Sequence, residues 1–196
     1  MTNLIIHPKD PSTDFLKPIY ATISDKTVIT GGISKSDLKE LITTHDRIIM
    51  LGHGTSYGLL AVEKFQCSGS YIIDYSMVEL LSQKTNNMYI WCNADQFVKN
   101  QLLSGIFSGM FISEIEEAIM FDFLELKKDT IKESNNGFAK IVSKHINQPQ
   151  DALFKNVIHE YQLLAKTNPI AQFNLNRLYL NEIKTHSPSV VKTQFL

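Results

Sequence analysis

Two apolar runs in the first half of the chain each end at a residue that can carry acid–base or nucleophilic chemistry. Residues 47–51 lead into a glycine-flanked histidine, His53, and residues 88–91 lead directly into Cys92. An imidazole next to a thiol is the arrangement that activates a cysteine nucleophile. If the two runs form neighbouring strands, we expect their side chains to meet at one edge of a sheet.

The backbone around these two residues also has features that a hydrolase uses. Cys92 precedes a helical pattern that starts near Asp95, and a helix N-terminus stabilises a thiolate. Gly54 has no side chain, so its amide and that of Cys92 could both donate to a developing oxyanion. The alternative is that Cys92 is a buried structural cysteine and that His53 only satisfies a turn.

The elements that must position these residues alternate between strand and helix. Apolar runs predict strands, and apolar residues at helical spacing predict helices. The predicted strands are 3–7, 26–30, 47–51, 88–91 and 105–113. The predicted helices are 14–21, 34–44, 75–84, 95–103 and 114–132. Such alternation predicts a three-layer α/β/α sandwich with a mainly parallel sheet, in which sites form at the carboxyl ends of the strands.

The remaining segments are predicted to complete a single domain. Residues 55–62 and 70–74 read as a small hairpin outside the main alternation. In the last third, Asn135-Asn136-Gly137 indicates a turn, followed by helices at 138–145 and 151–166 and an alternating strand at 172–180. We expect one domain over residues 1–185 and an irregular tail over 186–196.

Composition excludes several classes of function. The 196 residues have a net charge of -1, so there is no electrostatic reason to expect nucleic acid or an anionic membrane as partner. No apolar run approaches the roughly 18 residues of a membrane span, and we expect a cytoplasmic protein. Cys67 and Cys92 are expected to be free thiols. The six histidines are too scattered for a metal site, so we expect neither metal nor cofactor.

The order of these motifs resembles the caspase-like superfamily of cysteine peptidases, which includes legumains, gingipains, metacaspases, separases and bacterial CHAT-domain proteases. The resemblance rests on an apolar strand ending Gly52-His53-Gly54, a small hairpin, a helix and an apolar strand ending in Cys92. It implies a caspase-like fold and an endopeptidase that acts on protein or peptide substrates. Cys92 would be the nucleophile, His53 the general base or acid, and the Gly54 and Cys92 amides the oxyanion hole.

Substrate specificity is left open by the residue that lies two before the cysteine. Relatives carry a pocket residue there, whereas this chain has Ile90, which gives no acidic pocket for a basic side chain. Asp95 matches the aspartate of the caspase phrase Cys-Arg-Gly-Asp. His7 and Asp10, after the first strand, could reach the same sheet edge and shape a pocket, or could belong to a solvated loop.

Two other interpretations compete with the peptidase. One is a catalytically inactive caspase-like module for interaction or sensing, which would have a regulatory protein partner. The other is a small-molecule or nucleotide binder at the same strand ends, although the glycine-rich stretch at 52–58 lacks the lysine of a P-loop. Glu114, Glu116 and Glu117 near a predicted helix start suit the helix dipole and need no catalytic role.

Overall fold

The computed structural model describes residues 1–61 and 71–181, which form a mixed α/β fold around a mainly parallel sheet. The six strands of this sheet are β1 (Asn3–Ile6), β2 (Lys26–Ile29), β3 (Arg47–Leu51), β7 (Met88–Ile90), β8 (Gly105–Ser108) and β9 (Leu178–Asn181). Their order in the sheet is β2-β1-β3-β7-β8-β9, and only β9 runs antiparallel to its neighbour. The intervening short strands are β4 (Gly54–Thr55), β5 (Gly58–Leu60) and β6 (Tyr71–Ile73).

Helices connect the strands and follow them in the last third of the chain. They are α1 (Pro18–Ala21), α2 (Lys35–Thr44), α3 (Val78–Ser82), α4 (Ala94–Asn100), α5 (Ile115–Met120), α6 (Lys128–His145), α7 (Gln150–Ala165) and α8 (Pro169–Leu175). The side chain of Ser34 accepts a hydrogen bond from the amide of Asp37 and caps α2 as its sequence predicts. A 3-10 helix over Pro11–Leu16 and the short α1 occupy the region predicted as one helix at 14–21.

Both faces of the sheet are covered, because successive strand residues belong to two separate apolar clusters. Ile5 and Ile49 pack in one cluster with residues of α1, α6 and α7. Ile6 and Met50 pack in the other with residues of α2, α3 and α4. Continuous apolar strands of this kind are typical of a parallel sheet between two helical layers. The prediction of a mainly parallel α/β arrangement is therefore confirmed.

The hairpin predicted between the third and fourth main strands is a three-stranded antiparallel sheet in the order β4-β5-β6. Its first strand begins at Gly54, one residue after His53, and pairs with β5. The amide of Leu60 also donates to the carbonyl of His53 at 2.9 Å. The small sheet therefore holds the backbone of the histidine loop.

The prediction of one long helix over 114–132 is wrong. Helix α5 ends at Met120, and Asp122 has a left-handed φ of 65°. A new helix, α6, starts at Lys128 and runs through the Asn-Asn-Gly sequence that we interpreted as a turn. Gly137 lies inside α6 and faces Leu164 of α7, where a Cβ would lie 2.5 Å from Leu164 Cδ2.

Two strand predictions are also corrected at their ends. The strand predicted over 105–113 ends at Ser108. The region 172–180 begins as helix α8, because the Asn168 side chain accepts hydrogen bonds from the amides of Ile170 and Ala171 and Pro169 occupies the first turn. Only β9 keeps the predicted extended form there. The predicted tail and the end of the predicted domain, from residue 182 onwards, lie outside the described residues.

Candidate active site at the carboxyl edge of the sheet

Strand register brings His53 and Cys92 to the same edge of the sheet. Strands β3 and β7 are hydrogen-bonded parallel neighbours, and Leu51 pairs with Ile90. His53 and Cys92 each lie two residues beyond that pair. The amide of Gly52 still donates to the carbonyl of Ile90 at 3.1 Å, so the two chains remain adjacent as they leave the sheet.

Both side chains line one small depression, which we call the edge cleft. Its lining residues are Thr13, Phe15, Leu16, Gly52, His53, Ile90, Trp91, Cys92, Phe111 and Ser113. The cleft therefore combines the ends of two neighbouring strands, the 3-10 helix after β1 and the loop after β8. This is the edge at which parallel α/β proteins place their sites.

The imidazole of His53 is held by a hydroxyl that is itself held by a carboxylate. Ser12 Oγ lies 2.6 Å from His53 Nε2 and donates to Asp10 Oδ1 at 2.7 Å. A serine hydroxyl has one proton, and Ser12 directs it to the Asp10 carboxylate. The hydrogen bond between Ser12 and His53 therefore needs its proton from His53 Nε2. Asp10 Oδ2 is 4.0 Å from His53 Nε2. Hydrogen bonds from Ser12 lower the pKa of Asp10 and keep it ionised.

The thiol of Cys92 points to the loop after β8. Its Sγ lies 3.4 Å from the carbonyl oxygen of Phe111 and 3.7 Å from Glu117 Oε1, so these two acceptors share the single thiol proton. Burial, reinforced by the negative charge of Glu117, raises the pKa of the thiol to about 12. We expected the environment of Cys92 to stabilise a thiolate, whereas these contacts favour the protonated thiol.

Sequence reasoning predicted neither the contact of Ser12 with His53 nor that of Glu117 with Cys92. Glu117 Oε2 accepts hydrogen bonds from the amide of Ser113 at 2.7 Å, from Ser113 Oγ at 3.0 Å and from the amide of Glu114 at 3.1 Å. Its other oxygen, Oε1, accepts a hydrogen bond from the Cys92 thiol. The available sequence signal is an acidic pair three residues apart at a helix start, which predicts a cap but not a contact with the cysteine.

The backbone that was predicted to form the oxyanion hole lies against a buried indole. A Cβ on Gly54 would be 2.0 Å from Trp91 Cδ1, so only glycine fits there. Trp91 Nε1 donates to the carbonyl of Thr55 at 3.0 Å and ties the small sheet to the end of β7. Asn93 then turns the chain into α4 with a φ of 65°, a left-handed conformation that asparagine tolerates.

The other predicted pocket residues have different positions. Ile90 lines the edge cleft. His7 is buried, with Nδ1 3.1 Å from Tyr20 Oη and Nε2 3.1 Å from Thr13 Oγ1, so it supports the cleft wall through Thr13. Burial lowers the pKa of His7 to about 4. Asp95 pairs with Lys99 at 3.3 Å and is not among the described residues that line the cleft.

A much larger groove opens beside the edge cleft, and we call it the lateral groove. It has a volume of about 670 Å³ and shares Phe15 and Ser113 with the cleft, while Ser12 links it to the ring of His53. Its other lining residues are Pro11, Asp14, Glu114, Ile115, Glu116, Lys128, Ile131, Lys132, Asn135 and Asn136.

The fold and the site together define a mixed α/β protein with a histidine and a cysteine at the carboxyl edge of neighbouring parallel strands. No family model, curated protein or solved structure matches the chain. Within residues 1–61 and 71–181, no cluster of three or more histidine, cysteine or acidic side chains could hold a metal ion. Over the same residues, none of the helices has both the length and the apolar character needed to cross a membrane.

Proposed function

We propose that the protein is a caspase-like cysteine endopeptidase that acts on protein or peptide substrates in the cytoplasm. The observation that supports this proposal most strongly is the register of β3 and β7, in which His53 and Cys92 follow the Leu51–Ile90 pair by the same number of residues. A nucleophile and a base on adjacent strands can act on one carbonyl group. Hydrolysis of a peptide bond by a cysteine and a histidine requires neither a metal nor an organic cofactor.

In this proposal Cys92 attacks the carbonyl carbon of the scissile bond after its proton passes to His53. The amides of Gly54 and Cys92 donate to the oxyanion, and His53 returns the proton to the leaving amine. Water then hydrolyses the acyl-enzyme thioester and regenerates the thiol. Ser12 and Asp10 are positioning residues that hold the imidazole.

The described state is a resting state in this scheme. The Cys92 thiol is protonated and donates to Phe111 and Glu117, so it must leave these acceptors before it can attack. A substrate that enters the edge cleft and contacts the loop after β8 would supply that change. The proposed enzyme is therefore latent until the edge cleft is occupied.

A second candidate function is favoured by the same thiol. A cysteine whose pKa is raised to about 12 is inert at neutral pH, which suits a catalytically inactive interaction or sensor module. In that case the cleft and groove would bind a protein partner without cleaving it.

Peptidyl acyloxymethyl ketones of varied sequence distinguish the two candidates, because they alkylate an activated catalytic thiol. In the Cys67→Ser protein, which leaves Cys92 as the only thiol of the chain, we expect a mass increase of one probe per chain. Labelling should disappear with Cys92→Ala and slow strongly with His53→Ala. Absence of labelling, or equal labelling of the His53→Ala protein, would reject the peptidase and favour the binding module.

A further inference from the structure

We propose that a pocket at the amino edge of the main sheet binds a small oxyanion of the phosphate class through the guanidinium of Arg47. We call it the amino-edge pocket, and its lining includes Arg47, Asn86, Asn147, Gln148, Pro149 and Gln150. Arg47 is the first residue of β3, whereas His53 and Cys92 follow the carboxyl ends of β3 and β7. The pocket is therefore separate from the candidate active site and does not rest on the proposed function.

The first observation is that the guanidinium of Arg47 is buried without a negative partner. Arg47 is 3% exposed, and it takes part in none of the ion pairs formed within residues 1–61 and 71–181. Burial lowers its pKa to about 10. A buried charge that lacks a counter-ion is unfavourable, so this position favours an anion.

The hydrogen bonds of Arg47 leave part of its guanidinium free. Nε donates to the carbonyl of Asn86 at 3.1 Å, and Nη1 donates to the carbonyl of Ile146 at 2.8 Å. Of the five N–H groups, the second on Nη1 and both on Nη2 have no partner in the described part of the chain. Nη2 is not one of the unpaired side-chain atoms that lack accessible surface, so it stays accessible from the pocket.

One neighbouring dipole neutralises the guanidinium only in part. Ile146 is the C-cap of α6, and the carboxyl end of a helix carries about half a negative charge. A net positive charge therefore remains at the wall of the pocket.

The second observation is the start of α7 at the same pocket. This 16-residue helix begins at Gln150 after the N-cap Pro149, it has no side-chain cap, and both residues line the pocket. The first amides of a helix have no partner within the helix and bind phosphate groups. Asp151 lies in the first turn but is exposed and does not line the pocket. A helix start and a buried guanidinium thus present positive charge to one space.

The size and shape of the space indicate which oxyanion fits. Its volume is about 190 Å³, which corresponds to about six water molecules and admits a small ion. A tetrahedral phosphate has oxygens for both the guanidinium fork and the helix start, whereas the two oxygens of a small carboxylate lie in one plane. Asn147 and Gln148 at the exposed rim are neutral and do not repel an anion.

The competing outcome is that Arg47 is only a structural link. Its two hydrogen bonds already join the start of β3 to the turn at Asn86 and to the end of α6. A structural link predicts that phosphate does not bind, whereas an anion site predicts saturable binding that depends on the charge of Arg47.

Binding is measured by isothermal titration calorimetry of the whole chain with sodium phosphate, in HEPES buffer at constant ionic strength. We expect one phosphate per chain and a saturable rise in Tm, because a ligand that binds only the folded state stabilises it. Phosphate also stabilises proteins without binding a site, through its exclusion from the protein surface. Variants of the pocket separate the two effects.

Two variants assign the site. Arg47→Gln keeps an amide donor for the neighbouring carbonyls but removes the charge, and it should abolish the saturable binding. Asn147→Asp adds a carboxylate at the exposed rim without a change in size and should weaken phosphate binding about tenfold. Asn136→Asp is the matched control, because it makes the same change at an exposed position of α6 outside the pocket.

Two further ligands define the chemistry that the pocket accepts. Acetate should bind more weakly than inorganic phosphate, and acetate that binds as tightly would overturn the assignment to the phosphate class. Phenyl phosphate represents a phosphoryl group carried by a larger molecule. If it binds as tightly as inorganic phosphate, the source is such a molecule, and if it binds more weakly, the source is the free ion. Both results support the pocket.

Absence of phosphate binding, or the same binding and Tm shift in Arg47→Gln as in the wild type, would overturn the inference and leave Arg47 as a structural link. Thermal melting checks that each variant is folded. If Arg47→Gln does not fold, the comparison of Asn147→Asp with Asn136→Asp decides alone. Equal affinity of these two variants for phosphate would then reject the site.

Discussion

The thiol of Cys92 donates a hydrogen bond to the carboxylate of Glu117, with 3.7 Å between Sγ and Oε1. This contact joins the end of β7 to the start of α5, and it places a negative charge next to the atom that we propose as the nucleophile. A carboxylate in this position opposes ionisation of the thiol. The reactivity of Cys92 is therefore expected to depend on a residue that lies 25 positions away in the chain.

Replacing Glu117 with glutamine is predicted to lower the pKa of Cys92. Burial is the larger cause of the raised value and remains, whereas the charge of Glu117 is removed. The rate of alkylation by iodoacetamide, measured against pH in the Cys67→Ser background, should rise at a lower pH in the variant. Glu116→Gln is the control, because Glu116 does not contact the thiol. Identical pH profiles for both variants and the parent would contradict a role for Glu117.

Removing the hydroxyl of Ser12 is predicted to slow the reaction of Cys92 with peptidyl electrophiles. His53 Nε2 loses its partner at 2.6 Å and the ring loses its link to Asp10. We expect a roughly tenfold decrease for Ser12→Ala, the size of one hydrogen bond to a charged group. Ser12→Thr keeps the hydroxyl and should restore most of the rate. An unchanged rate in Ser12→Ala would show that the imidazole needs no such support.

His7 is predicted to make the folded protein less stable as the pH falls from 6.5 to 4. Its pKa is lowered from 6.5 to about 4 in the folded state, so in this interval the unfolded chain binds a proton that the folded chain does not. The contribution of His7 to the free energy of unfolding is fully present above pH 6.5. It decreases by up to about 3 kcal/mol as the pH falls to 4.

The measurement is the free energy of unfolding in urea at several values of pH between 4 and 7. Carboxylates contribute to the same slope, so the wild type is compared with His7→Gln, which keeps a polar side chain between Tyr20 and Thr13 but does not titrate. The variant should show a shallower dependence on pH. Parallel curves would contradict the assignment of the slope to His7.

A side chain at position 54 is predicted to destabilise the fold and the site together. The added Cβ of Gly54→Ala would lie 2.0 Å from Trp91 Cδ1 and 2.7 Å from the carbonyl oxygen of Gly58, and Trp91 is fully buried. We expect a loss of about 1–3 kcal/mol in the free energy of unfolding. Gly109→Ala is the control, since its Cβ would meet only ordinary contacts at 3.4 Å or more. Equal stability of the two variants would contradict the close packing at Gly54.

Local patterns were sufficient for the elements that place the candidate dyad. The apolar runs at 47–51 and 88–91 are buried on both faces of the sheet, and Ser34 caps α2. Both features could be predicted because they depend on residues that are neighbours in the sequence. Patterns failed at residues 114–137. There helix α5 ends at Met120, shortly before the left-handed Asp122, and the Asn-Asn-Gly segment lies inside α6, against Leu164 of α7.

By itself, the sequence determined a mainly parallel α/β fold and predicted that His53 and Cys92 end its strands, because hydrophobic periodicity and chain order are local properties. Only the tertiary structure decided what these side chains contact. Ser12 forms a hydrogen bond with the imidazole of His53, and Glu117 accepts one from the thiol of Cys92. Each partner comes from a segment that is distant in the chain from the residue it contacts. Hydrogen bonds and charges between such segments depend on three-dimensional distance, which residue spacing along the chain does not encode.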